Sequence, residues 1–161
     1  MEKKNNFFNY YSYQNQNELP ELYRNLLKEA SLAAEKAYAP YSHFYVGAAL
    51  LLDNGEIVTG NNQENAAYPS GLCAERVALF FANAHYPSAI IKALAITAFY
   101  DDKKMVSEPI TPCGSCRQVI LESQLRQKEP ITLILMGKEK IYVIEDASLL
   151  LPLNFNKDLL L

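Results

Sequence analysis

The sequence predicts an α/β protein, a three-layer α/β/α sandwich around a five-stranded mixed sheet. Three observations carry this. Runs with helical spacing and runs of strand length follow one another in the order α-β-β-α-β-α-β-β. The run Ala93 to Phe99 is apolar throughout, as a central strand covered on both faces must be. The link Gly137-Lys138-Glu139 between the last two strand runs is too short for a parallel return, so the sheet must contain an antiparallel pair.

Each element has its own justification. Residues 1–17 are rich in Asn, Gln and Tyr without a helical or alternating period. They predict an extension, disordered or draped on a neighbour, outside a single domain of residues 18–161. From Leu19 the apolar positions Leu22, Tyr23, Leu26, Leu27, Ala30, Ala33, Ala34 and Ala37 line one helix face, with Pro20 in the first turn and Pro40 as the stop. Phe44 to Leu52 and Glu56 to Asn61 flank Asp53-Asn54-Gly55, and the Asn-Gly pair predicts a tight turn with positive φ angles, hence a hairpin. Leu72 to about His85 is apolar nearly all round, the composition of a helix buried on most sides. Cys113 to Leu125 predicts the next helix, and Ile131 to Met136 and Lys140 to Ile144 predict two strands. A short helical turn over Ala147 to Leu151 precedes the tail.

Composition narrows the function. A chain of 161 residues, half of them apolar and a fifth charged, is the size of one domain with a real core. A net charge of −3 offers no footprint for a polyanion, which argues against a nucleic-acid partner and for a small neutral substrate. Three cysteines are an odd number, two of them in a C-x-x-C, so a disulfide framework is the poorer reading and a reducing compartment the better one. No apolar run has the length of a signal peptide or a membrane span, and the expected location is the cytoplasm, without a membrane partner.

The chemistry concentrates in two segments that hold every cysteine: Gly71-Leu72-Cys73-Ala74-Glu75-Arg76 and Pro112-Cys113-Gly114-Ser115-Cys116-Arg117. A C-x-E followed by P-C-x-x-C reads as a zinc site. Three thiolates leave one position of a tetrahedral Zn²⁺ open for water, and a carboxylate two residues from a ligand can handle that water's protons. Neither His43 nor His85 lies in these segments to close the site as a fourth ligand. Both segments open helices, whose positive ends lower thiol pKa. Three thiolates around Zn²⁺ still leave net negative charge, which Arg76 is best placed to offset, with Arg117 second. The bland alternatives are a redox-active or buried thiol cluster for the cysteines and a solvated helix-face charge for each arginine.

Together with Asn62-Gln63-Glu64-Asn65-Ala66-Ala67-Tyr68 and Ala39-Pro40-Tyr41-Ser42-His43-Phe44-Tyr45-Val46-Gly47-Ala48-Ala49-Leu50, these segments resemble the homotetrameric zinc cytidine deaminases over about Leu19 to Leu159. The resemblance implies a cytidine deaminase-like fold, one zinc per chain on Cys73, Cys113 and Cys116, and Glu75 as the group that moves protons between the attacking water, N3 of cytosine and the departing amine. It implies that Asn62 and Glu64 hydrogen-bond the sugar hydroxyls and that Phe44 packs beside the nucleoside. Read on their own, Phe44 is an inward strand residue and Asn62 and Glu64 are loop residues at a strand end. It also implies a homotetramer in which Phe155, three residues past Pro152, reaches a neighbouring chain's site. Here the Asp158-Leu159 pair that follows is one residue closer to that aromatic than the family pattern has it. A cysteine as first ligand, where many polynucleotide and base deaminases use histidine, points to a free nucleoside substrate. The expected reaction is hydrolysis of cytidine and 2′-deoxycytidine to uridine and 2′-deoxyuridine with release of ammonia, in pyrimidine salvage. The rivals are a deaminase for a related cytosine nucleoside such as blasticidin S, a non-catalytic zinc protein whose metal staples two helices, and a polynucleotide editor.

Overall fold

The computed structural model describes residues 1–101 and 103–160. Among these, six strands and three α-helices follow in the order β1 (Tyr11–Tyr13), α1 (Glu21–Ala34), β2 (Phe44–Leu52), β3 (Ile57–Asn61), α2 (Ala74–His85), β4 (Ile91–Tyr100), α3 (Gly114–Gln127), β5 (Thr132–Met136) and β6 (Ile141–Ile144), with short 3-10 turns between and after them. They form one mixed sheet in the spatial order β1-β6-β5-β4-β2-β3. Only β4 and β5 pair in parallel, joined by the α3 crossover, and the β5–β6 pair is antiparallel as its short link required.

The five predicted strands are six. The added one comes from the amino-terminal extension, where Tyr11, Ser12 and Tyr13 pair antiparallel with Val143, Tyr142 and Ile141. Three residues are too few to show a period, and the pairing energy lies in β6, which has a free edge without them. Tyr13 packs against the buried cluster beneath the sheet, and the Tyr10 ring meets Tyr142 edge-on at 5.0 Å. A 3-10 turn over Gln16–Glu18, closed by a reciprocal Asn15/Glu18 capping box, then delivers the buried Leu19 to the same cluster.

Two cores sit on opposite faces of the sheet, because alternate strand residues point to opposite sides. Leu94 and Ile96 of β4 join Ala78, Leu79, Ile120, Leu133 and Leu135 under α2 and α3, while Ala93 and Ala95 join Leu26, Leu27, Ala30, Ile134 and Val143 under α1. β4 is thus the covered central strand that its composition predicts. Helix α1 is shorter than its apolar pattern: Pro20 takes the N-cap, and 3-10 bonds from Lys36 to Ala33 and from Ala37 to Ala34 tighten the chain out of the helix before Pro40.

The β2–β3 turn differs from the predicted form. Only Gly55 carries a positive φ, 86°, while the Gly55 N–H bonds the Leu52 carbonyl, so the left-handed residue follows the turn instead of filling both its central positions. Helix α2 buries Ala74, Glu75, Ala78, Leu79 and Ala82 on one face only; Phe80 and Phe81 remain 47% exposed within the single chain. Its first turn lies directly on β3 because residue 60 is glycine: a Cβ there would stand 2.5 Å from the Ala74 carbonyl oxygen.

Candidate active site

The two cysteine segments meet at the end of the sheet where β4 finishes and β2 begins, the place at which the crossover to α3 leaves the sheet. Cys73 is the N-cap of α2 and Cys113 the N-cap of α3. Each offers its carbonyl to the first helical hydrogen bond, from Val77 and Arg117, and leaves its side chain free because no capping bond engages it. A residue three positions on, at N3, faces the N-cap side chain, the spacing a capping box exploits. In α3 that residue is Cys116, its sulfur 3.5 Å from Cys113 Sγ. In α2 it is Arg76, whose Nη2 points at Cys73 Sγ from 3.7 Å.

Between the helices, Cys73 Sγ lies 3.8 Å from Cys113 Sγ, and all three sulfurs fall within 4.8 Å of one another. Sulfurs bound at about 2.3 Å to a tetrahedral Zn²⁺ stand about 3.8 Å apart, so the three thiols fit that ion. Their acid–base chemistry fits as well. Hydrogen bonding from the Cys116 thiol, opposed by burial and reinforced by Arg76, lowers Cys73 to about 5, while that same bond and burial push Cys116 up. With Cys73 ionised the Cys116 thiol holds its proton against it, and a cation at the centre of the cluster is what lets that proton leave.

Glu75 is 5% exposed, and burial first, with the charge of Cys73 adding to it, raises its pKa above the ordinary carboxylate range. A buried carboxyl whose charged form is disfavoured in this way can take up a proton and return it. It opens on a cleft of about 870 Å³, a volume that suits a small-molecule site. Phe44, Asn62, Glu64, Cys73, Glu75, Arg76 and Cys113 all contribute to its wall.

Of the predicted residues, therefore, the three cysteines, Glu75, Arg76, Phe44, Asn62 and Glu64 come together. Asn62 turns its amide onto the start of β2: Oδ1 accepts from the Val46 N–H at 2.8 Å and Nδ2 donates to the Phe44 carbonyl at 2.9 Å. Glu64 accepts from the N–H groups of Tyr41 and Ser42 and from the Ser42 hydroxyl. Phe155 stands apart. It does not line this chain's cleft, is 58% exposed, and gives its carbonyl to Gln118 Nε2 at 2.9 Å.

Arg117 is corrected. It does not reach a sulfur but donates to the Pro112 carbonyl at 2.8 Å, the Leu150 carbonyl at 3.0 Å and Thr111 Oγ1 at 3.2 Å. Its guanidinium joins the segment that delivers Cys113 to the chain's carboxyl-terminal part. His43 and His85 stay outside the sulfur cluster, His43 3.6 Å from Asp101 and His85 stacked on Phe81. The residues that sequence reasoning passed over are Tyr41 and Ser42, quoted within a motif but given no role, and Ile110, Thr111 and Tyr68 of the cleft wall.

Comparison with known proteins agrees with this geometry. The family model for the cytidine and deoxycytidylate deaminase zinc-binding region matches residues 20–129. A cytidine deaminase of Halalkalibacterium halodurans is 48% identical over 97 residues, which cover 60% of this chain and 68% of that protein. A cytidine deaminase of Mycobacterium tuberculosis is 43% identical over 105 residues, 65% of this chain and 74% of that one. The crystal structure of a cytidine deaminase from Burkholderia pseudomallei superimposes with a TM-score of 0.69 at 40% identity, covering 82% of this chain and 98% of its own.

Proposed function

Because the chain belongs to the family of zinc-dependent cytidine deaminases, we propose that it hydrolyses cytidine and 2′-deoxycytidine to uridine and 2′-deoxyuridine with release of ammonia, serving pyrimidine salvage. The observation that carries this reading is a buried Glu75, its pKa raised, beside a three-thiol cluster at the wall of a cleft that suits a small molecule. Cys73, Cys113 and Cys116 would hold the zinc, which when bound supplies Lewis-acid activation of the attacking water.

The chain's own residues do the rest. Glu75 takes the proton released by the attacking water and delivers it to N3 of the cytosine ring. It then takes the proton of the newly formed C4 hydroxyl and gives it to the amino group, so that the C4–N bond breaks, ammonia leaves and the C4 carbonyl forms. Its dry surroundings let one carboxyl serve as base and acid in turn, since a solvated carboxylate would be too weak a base to collect that proton. Arg76 offsets the negative charge of the thiolates without occupying a ligand position. Phe44 offers an apolar edge to the nucleoside, and Glu64 and Asn62 hydrogen-bond the sugar hydroxyls, Asn62 with the donor and acceptor positions its amide keeps beside the bonds that fix the strand start from which Phe44 projects.

The active form is a homotetramer in the cytoplasm, with Phe155 closing a neighbouring chain's cleft. The exposed Phe80 and Phe81 on α2, and the absence of Phe155 from its own cleft, support an assembly of this kind. Incubating the purified protein with cytidine and following the loss of its ultraviolet absorbance tests the activity; no loss by protein carrying one zinc per chain would overturn it. Light scattering tests the assembly, which a mass of about one 18.2 kDa chain would exclude. Phe155→Ala is expected to raise KM by about 5- to 150-fold, as loss of a stacked base contact does.

A further inference from the structure

The α1–β2 connection and the β3–α2 connection are stitched together at the mouth of the cleft. The Tyr38 N–H donates to the Asn62 carbonyl and the Glu64 N–H to the Tyr38 carbonyl, at 3.0 and 2.8 Å. Beyond this pair of backbone bonds the chain turns back through Tyr41, Ser42 and His43. His43 takes a φ of 53°, a left-handed conformation that a residue with a side chain seldom adopts, and its N–H bonds the Ala39 carbonyl.

The turn has a definite consequence for Glu64. Tyr41 and Ser42 aim their N–H groups at Oε2, from 2.9 and 3.3 Å, while the Ser42 hydroxyl donates to Oε1. The hydroxyl oxygen in turn accepts the Phe44 N–H at 3.1 Å, which ties this donor to the start of the strand that carries Phe44. An ionised carboxylate has about four acceptor positions, and this turn fills three, leaving one on Oε1. The left-handed residue that costs backbone energy is the one joining the donors to Phe44, the pattern expected where strain is kept for a site's geometry.

We propose that Ser42 is a positioning residue for nucleoside binding, holding the Glu64 carboxylate in a single orientation with one acceptor position left for a sugar hydroxyl. This rests on the reading that Glu64 contacts the substrate. The same bonds hold Glu64 ionised: the Ser42 hydroxyl first, then the two backbone N–H groups, lower its pKa, with His43 contributing in the same direction. The titratable groups facing it are His43 and Tyr45, and Tyr45 is itself bound to Asp101 at 3.0 Å.

The test is steady-state kinetics on zinc-loaded Glu64→Ala, Ser42→Ala and Ser42→Thr. Glu64→Ala is expected to raise KM for cytidine about 10- to 100-fold, the cost of a hydrogen bond to a charged group. Ser42→Ala should raise KM about 3- to 20-fold with kcat within twofold of the parent, and Ser42→Thr, which keeps the hydroxyl, should restore it. The pH dependence separates positioning from general loosening. KM rises on acidification as Glu64 gains its proton; without the Ser42 hydroxyl that pKa moves up, so the rise must begin at higher pH in Ser42→Ala and return to its place in Ser42→Thr. An unchanged KM in Glu64→Ala overturns the underlying reading. A raised KM in Glu64→Ala with an unmoved KM and acid limb in Ser42→Ala overturns the role of Ser42 alone.

Discussion

In α2 and α3 alike, a cysteine stands at the N-cap and meets the residue three positions on, but in α2 that residue is Arg76 and in α3 it is Cys116. One backbone geometry thus yields a ligand paired with a counter-charge on one side and a pair of ligands on the other. The residues that follow or intervene extend the contrast. α2 contributes Glu75, buried and pushed toward protonation, so its first turn sets a titratable carboxyl beside the positive charge of Arg76. α3 contributes Arg117 and Gln118, which bind the carbonyls of Pro112, Leu150 and Phe155, so its first turn also ties down the loop and the tail. The two arginines, each near a cysteine in the sequence, are divided by which atoms lie within reach: a sulfur for Arg76, two carbonyl oxygens and a hydroxyl for Arg117.

The comparison breaks most completely if a sulfur from α3 can be dispensed with. Cys113→Ala should lose the metal, because two remaining thiols cannot match three in the competition between zinc and protons. Atomic absorption is expected to give well under about 0.1 zinc per chain, with activity gone; a full complement of zinc would show that the site is built otherwise.

Glu75→Gln attacks the other half. It should keep zinc and the native melting temperature while kcat falls by about 10²- to 10⁴-fold, the range that a positioned acid–base group supplies. A variant retaining more than a tenth of the parent kcat would remove Glu75 from the proton pathway.

The arginines sharpen the contrast. Arg76→Gln is expected to lower activity or zinc affinity by about 10- to 100-fold, the usual cost of losing a group that supports a metal ligand, while the fold persists. Competition with a chromogenic chelator measures it, and unchanged affinity and rate together would make Arg76 an ordinary surface charge. Arg117→Lys should behave oppositely. A single ammonium cannot replace a fork that holds three oxygens, so stability should fall by about 1–2 kcal/mol, about 2–8 °C in Tm, with kcat changed little. Calorimetry with the zinc content matched decides it; an unchanged Tm would mean that the clamp between Pro112 and Leu150 carries no weight.

The cysteine motifs, the helices they open and the central strand were legible in the chain because each depends on spacings of a few residues, which helix and strand geometry convert directly into shared faces. Helical geometry brings a C-x-x-C starting at an N-cap into register, and β2 begins and ends where its apolar run does, Phe44 to Leu52. The all-round apolar composition of α2 was misleading in one respect, since within one chain it buries a single face. What tertiary structure alone decided is everything that joins distant segments: Cys73 beside Cys113, the burial that raises Glu75, the direction of Arg117, the turn of Tyr41 and Ser42 onto Glu64, and the sixth strand. A three-residue strand has no period to read, and a hydroxyl has many possible partners until the fold brings particular ones within reach. Short-range order is written in residue spacing; which donor meets which acceptor across 20 or more residues is set by where the sheet places their backbones.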